Sequence, residues 1–145
     1  MFKHILLPTD GSPASERAIH ECIPLAAETG ARITGVHVHP PFHVFTTNAD
    51  SLEWTPEQYE AEATKAGGKH LRKLQQAAAA ANVPCETVEV SAEHPYEAII
   101  QTAEQHQCDV IAMASRGHRG LKGLLLGSET QKVLTHAHKP VLVFH

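Results

Sequence analysis

The sequence predicts an α/β fold built on a doubly wound parallel sheet of five strands. Two observations carry this. Short apolar runs alternate along the chain with segments whose apolar residues recur at helical spacing. One of those runs, VIAMA at 110–114, is almost continuously apolar, as expected of a strand buried on both faces.

The elements follow in order. Lys3 to Pro8 is a first strand. Asp10-Gly11-Ser12-Pro13 is a turn into a helix, with Ser12 as N-cap and Pro13 at the first helical position. Ala14, Ala18, Cys22 and Leu25, with Ile19 and Ala26, form the apolar stripe of that helix, and Gly30 stops it. Pro24 lies inside and is expected to kink or split it, because proline removes one backbone hydrogen bond. Ile33 to Val38 is a second strand, ended by Pro40-Pro41. The stretch from 39 to about 55 lacks periodicity and reads as a long loop, a length that favours a functional role. Thr55-Pro56-Glu57 opens a long helix to about Ala81, with Leu71, Leu74, Ala77, Ala78 and Ala81 inward and Gly67-Gly68 weakening its middle. Cys85 to Val90 alternates as a third strand. Pro95 to His106 is a helix with Ala98, Ile99, Ile100 and Ala103 inside. Asp109 to Ala114 is the fourth strand, Ser128 to His138 the last helix and Pro140 to Phe144 the fifth strand.

The 145 residues fit one domain spanning 1–145, long enough to bury a core. No apolar run approaches the roughly 20 residues that cross a bilayer, and MFKHILLPTDG does not read as a signal peptide. Cys22, Cys85 and Cys108 are too far apart for a CxxC metal pattern and form no disulfide framework. A reduced, cytoplasmic protein is expected. Twelve histidines are spread along the chain. His37 and His39 would share a strand face and so could share a metal, but two ligands are not a site and no Glu or Cys clusters with them in sequence. They read as polar, half-buried side chains, as do His136 and His138, and no metal site is predicted.

The segment 110–130, VIAMASRGHRGLKGLLLGSET, has the layout of an anion site. A strand ends in a small residue, a loop of glycines and basic residues follows, and a helix begins at Gly127-Ser128. Glycines let backbone N–H groups approach a phosphate, and a helix start offers unpaired donors and a positive dipole end. Arg116, His118, Arg119 and Lys122 add positive charge to a chain whose formal net charge is −4. A basic loop on an acidic protein points to a small polyanion, not to nucleic acid or a membrane. The loop is neither a G-x-x-x-x-G-K-[ST] phosphate loop nor a GxGxxG dinucleotide turn, so the alternative that its glycines only turn the chain stays open. Asp10 is placed either to accept hydrogen bonds from ribose or adenine or to cap the turn, and the two are compatible. In a strand order 3-2-1-4-5, both candidates fall at the point where the order reverses, between strands one and four. No GxSxG elbow, HExxH or pair of catalytic carboxylates occurs, so no catalytic residue is assigned.

These residues resemble the universal stress protein family over essentially the whole chain. The resemblance rests on ILLPTDGS at 5–12, GVHV at 35–38, CDVIAMASRG at 108–117, GLLLGSETQKVL at 123–134 and KPVLVFH at 139–145. In the nucleotide-binding branch the motif is Gly, two residues, Gly, nine residues, Gly, then Ser or Thr. Gly117, Gly127 and Ser128 match, whereas Ala114 stands where the first Gly would be. Alanine disfavours positive φ and adds a methyl group near the phosphates, which implies weaker binding of a triphosphate or a bias toward AMP or ADP.

The resemblance implies a Rossmann-like fold of the adenine nucleotide alpha hydrolase-like kind, with helices on both faces and strand order 3-2-1-4-5. It implies ATP, with or without Mg²⁺, at the switch point. The implied site comprises Pro8, Thr9 and Asp10, with Asp10 on ribose or adenine, and the Val38 backbone on the base. Met113, Ala114, Ser115, Arg116 and Gly117, with Gly127, Ser128, Glu129 and Thr130, complete it around the phosphates. It also implies a homodimer through the fifth strand, at 141–144, and a stress-response binding module. A slow ATPase or self-phosphorylating enzyme, and a nucleotide-free dimer acting through protein contacts, are the alternatives.

Overall fold

In the computed structural model, which describes residues 2–42, 54–116 and 126–145, strands and helices alternate throughout. They are β1 (His4–Pro8), α1 (Pro13–Thr29), β2 (Arg32–His39), α2 (Pro56–Ala80), β3 (Cys85–Ser91), α3 (Pro95–Gln105), β4 (Val110–Ala114), α4 (Ser128–His136) and β5 (Val141–Phe144). The five strands form one parallel sheet in the order β3-β2-β1-β4-β5. The expected order therefore holds, and the reversal lies between β1 and β4.

Side chains alternate across the sheet and build two cores. On one face Ile5 and Leu7 of β1, Ile33 of β2, and Val110 and Ala112 of β4 meet Ile19, Cys22 and Ala26 of α1 and Leu74 and Ala78 of α2. On the other, Leu6, Val36, Ile111 and Met113 meet Ile99 and Ala103 of α3 and Val133 of α4. The first four residues of β4 are buried, as the VIAMA run predicts.

The caps explain where the helices start. The Ser12 hydroxyl accepts from Ser15 N–H at 3.1 Å and Pro13 opens α1. Gly30 ends it in the left-handed conformation, φ +68°, which glycine tolerates without strain. Thr55 and Gln58 form a reciprocal capping box at the start of α2. Pro24 does not split α1, which runs unbroken from 13 to 29. Pro24 and His20, whose carbonyl loses its intrahelical partner, both lie on the exposed side, where water reaches that carbonyl.

Other details differ from expectation. The buried stripe of α1 is Ser15, Ala18, Ile19, Cys22, Ile23 and Ala26, so Ala14 and Leu25 sit at its margin. In α3 the buried position is Thr102, not Ile100; its hydroxyl donates to Ala98 O at 2.7 Å, which makes burial tolerable. Ala77 and Ala81 are partly buried against the core. The last helix stops at His136, two residues early, and β2 extends one residue further at each end. No helix among the described residues is long and apolar enough to cross a membrane.

Candidate functional site

The carboxyl ends of β1 and β4 open into a cavity of about 380 Å³, within the size range of small-molecule sites. Three segments converge on it. Pro8, Thr9 and Asp10 leave β1; Met113, Ala114 and Arg116 leave β4; Gly127, Ser128, Glu129 and Thr130 enter α4. Val38 of β2 closes the far side. Four further lining residues were not foreseen: Ser15, Val36, Pro95 and Ile99. Their signal was available only through topology. Val36 precedes Val38 by one pleat on the same face, Ser15 is held beneath Thr9, and α3 covers this side of the sheet.

Each segment is fixed by its own hydrogen bonds. Thr9 N–H donates to Val36 O at 2.9 Å, extending the β1–β2 pairing by one residue. The Thr9 and Ser15 hydroxyls lie 3.3 Å apart. Asp10 Oδ1 accepts from Ser12 N–H at 2.9 Å, so the capping role is present. Thr9 N–H reaching Val36 O places the Val36 backbone groups on the β1 side of β2. Groups two residues on point the same way, so Val38 N–H and C=O face the crevice beyond the end of β1.

The wall formed by α4 is held from below. Gly127 N–H donates to Ser115 O at 2.6 Å, and the Thr130 hydroxyl donates to Ala114 O at 2.9 Å. Gly127, the N-cap, has ordinary extended geometry (φ −60°, ψ 152°) and no side chain caps the helix. The N–H groups of Ser128, Glu129 and Thr130 have no intrahelical acceptor by construction, which leaves a donor-rich helix start at the cavity. Glu129 Oε2 accepts from Tyr96 N–H at 2.9 Å and so ties α4 to the uncapped start of α3.

Three placements modify the sequence reading. Ser115 is buried and does not line the cavity; it supports Gly127 through its carbonyl and donates to Phe144 O at 2.8 Å. Ala114 is the last residue of β4, with ordinary strand geometry, so alanine in place of glycine changes only the methyl group. The Gly127 N–H is already engaged, so the donors left for a ligand are those of α4. Gly117, and with it His118, Arg119 and Lys122, lies outside the described residues, as does 43–53 of the long loop.

Beside His37 and His39 stands a carboxylate that is far from them in sequence. The β2–β3 register sets Glu89 directly beside His37, and Glu89 bonds both imidazoles. No local spacing could have revealed it, since Glu89 is 52 positions from His37.

Comparison with known proteins agrees with this architecture. The model of the universal stress protein family matches residues 1–145. Universal stress protein YxiE of Bacillus subtilis is 32% identical over 147 residues, covering 99% of each chain. Among solved structures, that of protein MJ0577 of Methanocaldococcus jannaschii superposes with a TM-score of 0.84 at 27% identity, covering 99% of this chain and 95% of that one. Two structures described as nucleotide complexes share the fold. One is a universal stress protein with cAMP (TM-score 0.71, 21% identity, covering 99% of this chain and 97% of that one). The other is the Archaeoglobus fulgidus protein with dAMP (TM-score 0.66, 16% identity, covering 100% of this chain and 98% of that one).

Proposed function

The chain belongs to the universal stress protein family, and on that premise we propose that it is a stress-response module that binds an adenine nucleotide, ATP with Mg²⁺ foremost, at the crevice between β1 and β4. The observation that carries this reading is the convergence on one cavity of an acidic strand end, an open backbone edge and an uncapped helix start. Each suits one part of the ligand. The Asp10 carboxylate suits ribose hydroxyls, the Val38 backbone suits the edge of adenine, and the α4 start suits phosphate oxygens. Arg116 at the cavity adds a positive charge to the phosphate end. The cAMP and dAMP complexes of fold relatives support an adenine nucleotide as the ligand. The proposal is one of binding, and no catalytic role is assigned to a residue of the cavity.

Calorimetry tests it. Saturable heat is expected on titrating ATP with Mg²⁺, and Asp10→Ala is expected to weaken binding by about 1–3 kcal/mol, the cost of stranding buried polar partners. No saturation at millimolar nucleotide overturns the reading. Parallel assays for ADP release separate a binder from a slow ATPase. We further propose that the chain acts as a homodimer joined through 141–144.

A further inference from the structure

We propose that His37, His39 and Glu89 form a binding site for a divalent first-row transition metal ion, on the face of the sheet opposite the nucleotide crevice. Strand β2 carries Val36 and Val38 to the crevice and its alternate residues, His37 and His39, to the side covered by α2. Glu89 joins them because β3 runs in parallel register with β2, His37 beside Glu89. The donor atoms of the three side chains all lie within 4.8 Å of one another. Glu89 Oε1 is 2.7 Å from His37 Nδ1 and 2.6 Å from His39 Nδ1. In a tetrahedral zinc site, neighbouring ligand atoms stand about 3.3 Å apart, so these two oxygen–nitrogen pairs need to open by about 0.6–0.7 Å.

Three further features point to an ion and not merely to a polar patch. First, Glu89 Oε2 is buried and has no hydrogen-bond partner among the described residues. A carboxylate oxygen stranded in this way is costly unless a cation satisfies it. Second, α2 turns the bare Cα of Gly67 toward that oxygen. A Cβ on Gly67 would clash with both Glu89 Oε2 and His37 Nδ1. Glycine in the buried stripe of a helix is unfavourable by about 1 kcal/mol against alanine, and here it lets two of the donor atoms converge against the helix backbone. Third, the remaining nitrogen of His39, Nε2, is 2.8 Å from Glu60 Oε2, and the other Glu60 oxygen accepts from Ser91 at 3.3 Å. A metal-bound imidazole characteristically donates its second N–H to a carboxylate, which fixes the ring and strengthens the ligand.

The chemistry selects the metal. Two imidazoles and one carboxylate, with no thiolate, suit Zn²⁺ and its first-row neighbours and not Mg²⁺ or Ca²⁺, which prefer all-oxygen shells. Three protein ligands leave at least one position for water or an exogenous ligand. Binding exchanges the Nδ1 protons that now bridge to Glu89 for the metal, so those protons pass to solvent.

The test uses nucleotide-free full-length protein, so that it stands or falls apart from ATP binding. Zn²⁺ is titrated with calorimetry and metal analysis, and imidazole ¹⁵N resonances are followed by long-range NMR. One Zn²⁺ per chain is expected, with the Nδ1 resonances of His37 and His39 shifting. Glu89→Gln should weaken binding more than about tenfold, while the surface control His136→Asn/His138→Asn should bind as wild type. Co²⁺ should give the visible bands of a four- or five-coordinate ion. No saturable uptake at equimolar Zn²⁺, shifts confined to other histidines, or a folded Glu89→Gln that binds as tightly as wild type overturns the proposal. Because the imidazole shifts are read on wild-type protein, an unfolded variant does not spare it.

Discussion

At Ala114 the difference from the family's glycine is one methyl group at the end of β4, facing the cavity. The backbone there has ordinary strand geometry, so Ala114→Gly relieves no strain and changes only the space at this wall of the cavity. We expect it to tighten ATP more than AMP, and calorimetry with both nucleotides checks this; equal affinities for wild type and variant would show that the methyl is tolerated. His4 yields a second residue-scale prediction. It is buried, its Nε2 lies 2.7 Å from Thr34 Oγ1, and Thr34 in turn donates to Glu86. That network assigns the Nε2–H tautomer and leaves Nδ1 without a partner. Burial, aided by Arg32, holds the His4 pKa below the usual 6.5. The unfolded chain then binds the extra proton more readily, so the contribution of neutral His4 is fully present above pH 6.5 and is lost as pH falls through the folded value. Urea midpoints of wild type and His4→Gln should therefore converge on acidification below pH 6.5; a constant gap contradicts the assignment. Single residues were legible where their role is local, as for Ser12, Gly30 and Asp10. Glu89 was not, because its neighbours are set by strand register and not by sequence distance.

Elements were legible where periodicity and caps agree. The starts of α1 and α2 were read from Ser12-Pro13 and Thr55-Pro56 because the cap chemistry is contained in four residues. The phase of α1 was misread by a fraction of a turn. The sheet face it covers also holds Ser15, which reading by hydrophobicity passes over although its hydroxyl is bonded to Ser12 O. Thr55→Ala should cost about 1 kcal/mol by removing the capping box, measured by urea unfolding; no loss would mean α2 is held by packing alone. At α4 the cap is Gly127, whose N–H is fastened to Ser115 O. Gly127→Val retains that N–H and an accessible φ, but places a branched side chain at the cavity. We expect a folded protein that no longer binds ATP, checked by circular dichroism with calorimetry. A folded variant with wild-type affinity would move the phosphates away from α4.

The two edges of the sheet differ in a way that bears on assembly. β3 carries the exposed Glu86, a charge that blunts an edge, whereas β5 is Val-Leu-Val-Phe, uncharged and half-buried throughout. Hydrogen bonding fixes which groups of β5 are open. Ile111 N–H donates to Pro140 O and Ser115 N–H to Phe144 O, so alternate residues 140, 142 and 144 face β4. Val141 and Val143 therefore turn their N–H and C=O outward, where a second copy, related by a two-fold axis, would find an antiparallel partner. That makes Val143 the discriminating position. Proline there removes an N–H that the chain's own sheet does not use, and edge strands tolerate it. Val143→Pro should thus remain folded, with unchanged far-UV circular dichroism, yet sediment as a monomer at concentrations where wild type sediments as a dimer. A monomeric wild type at tens of micromolar contradicts this assembly, and a folded, dimeric Val143→Pro places the interface on another surface.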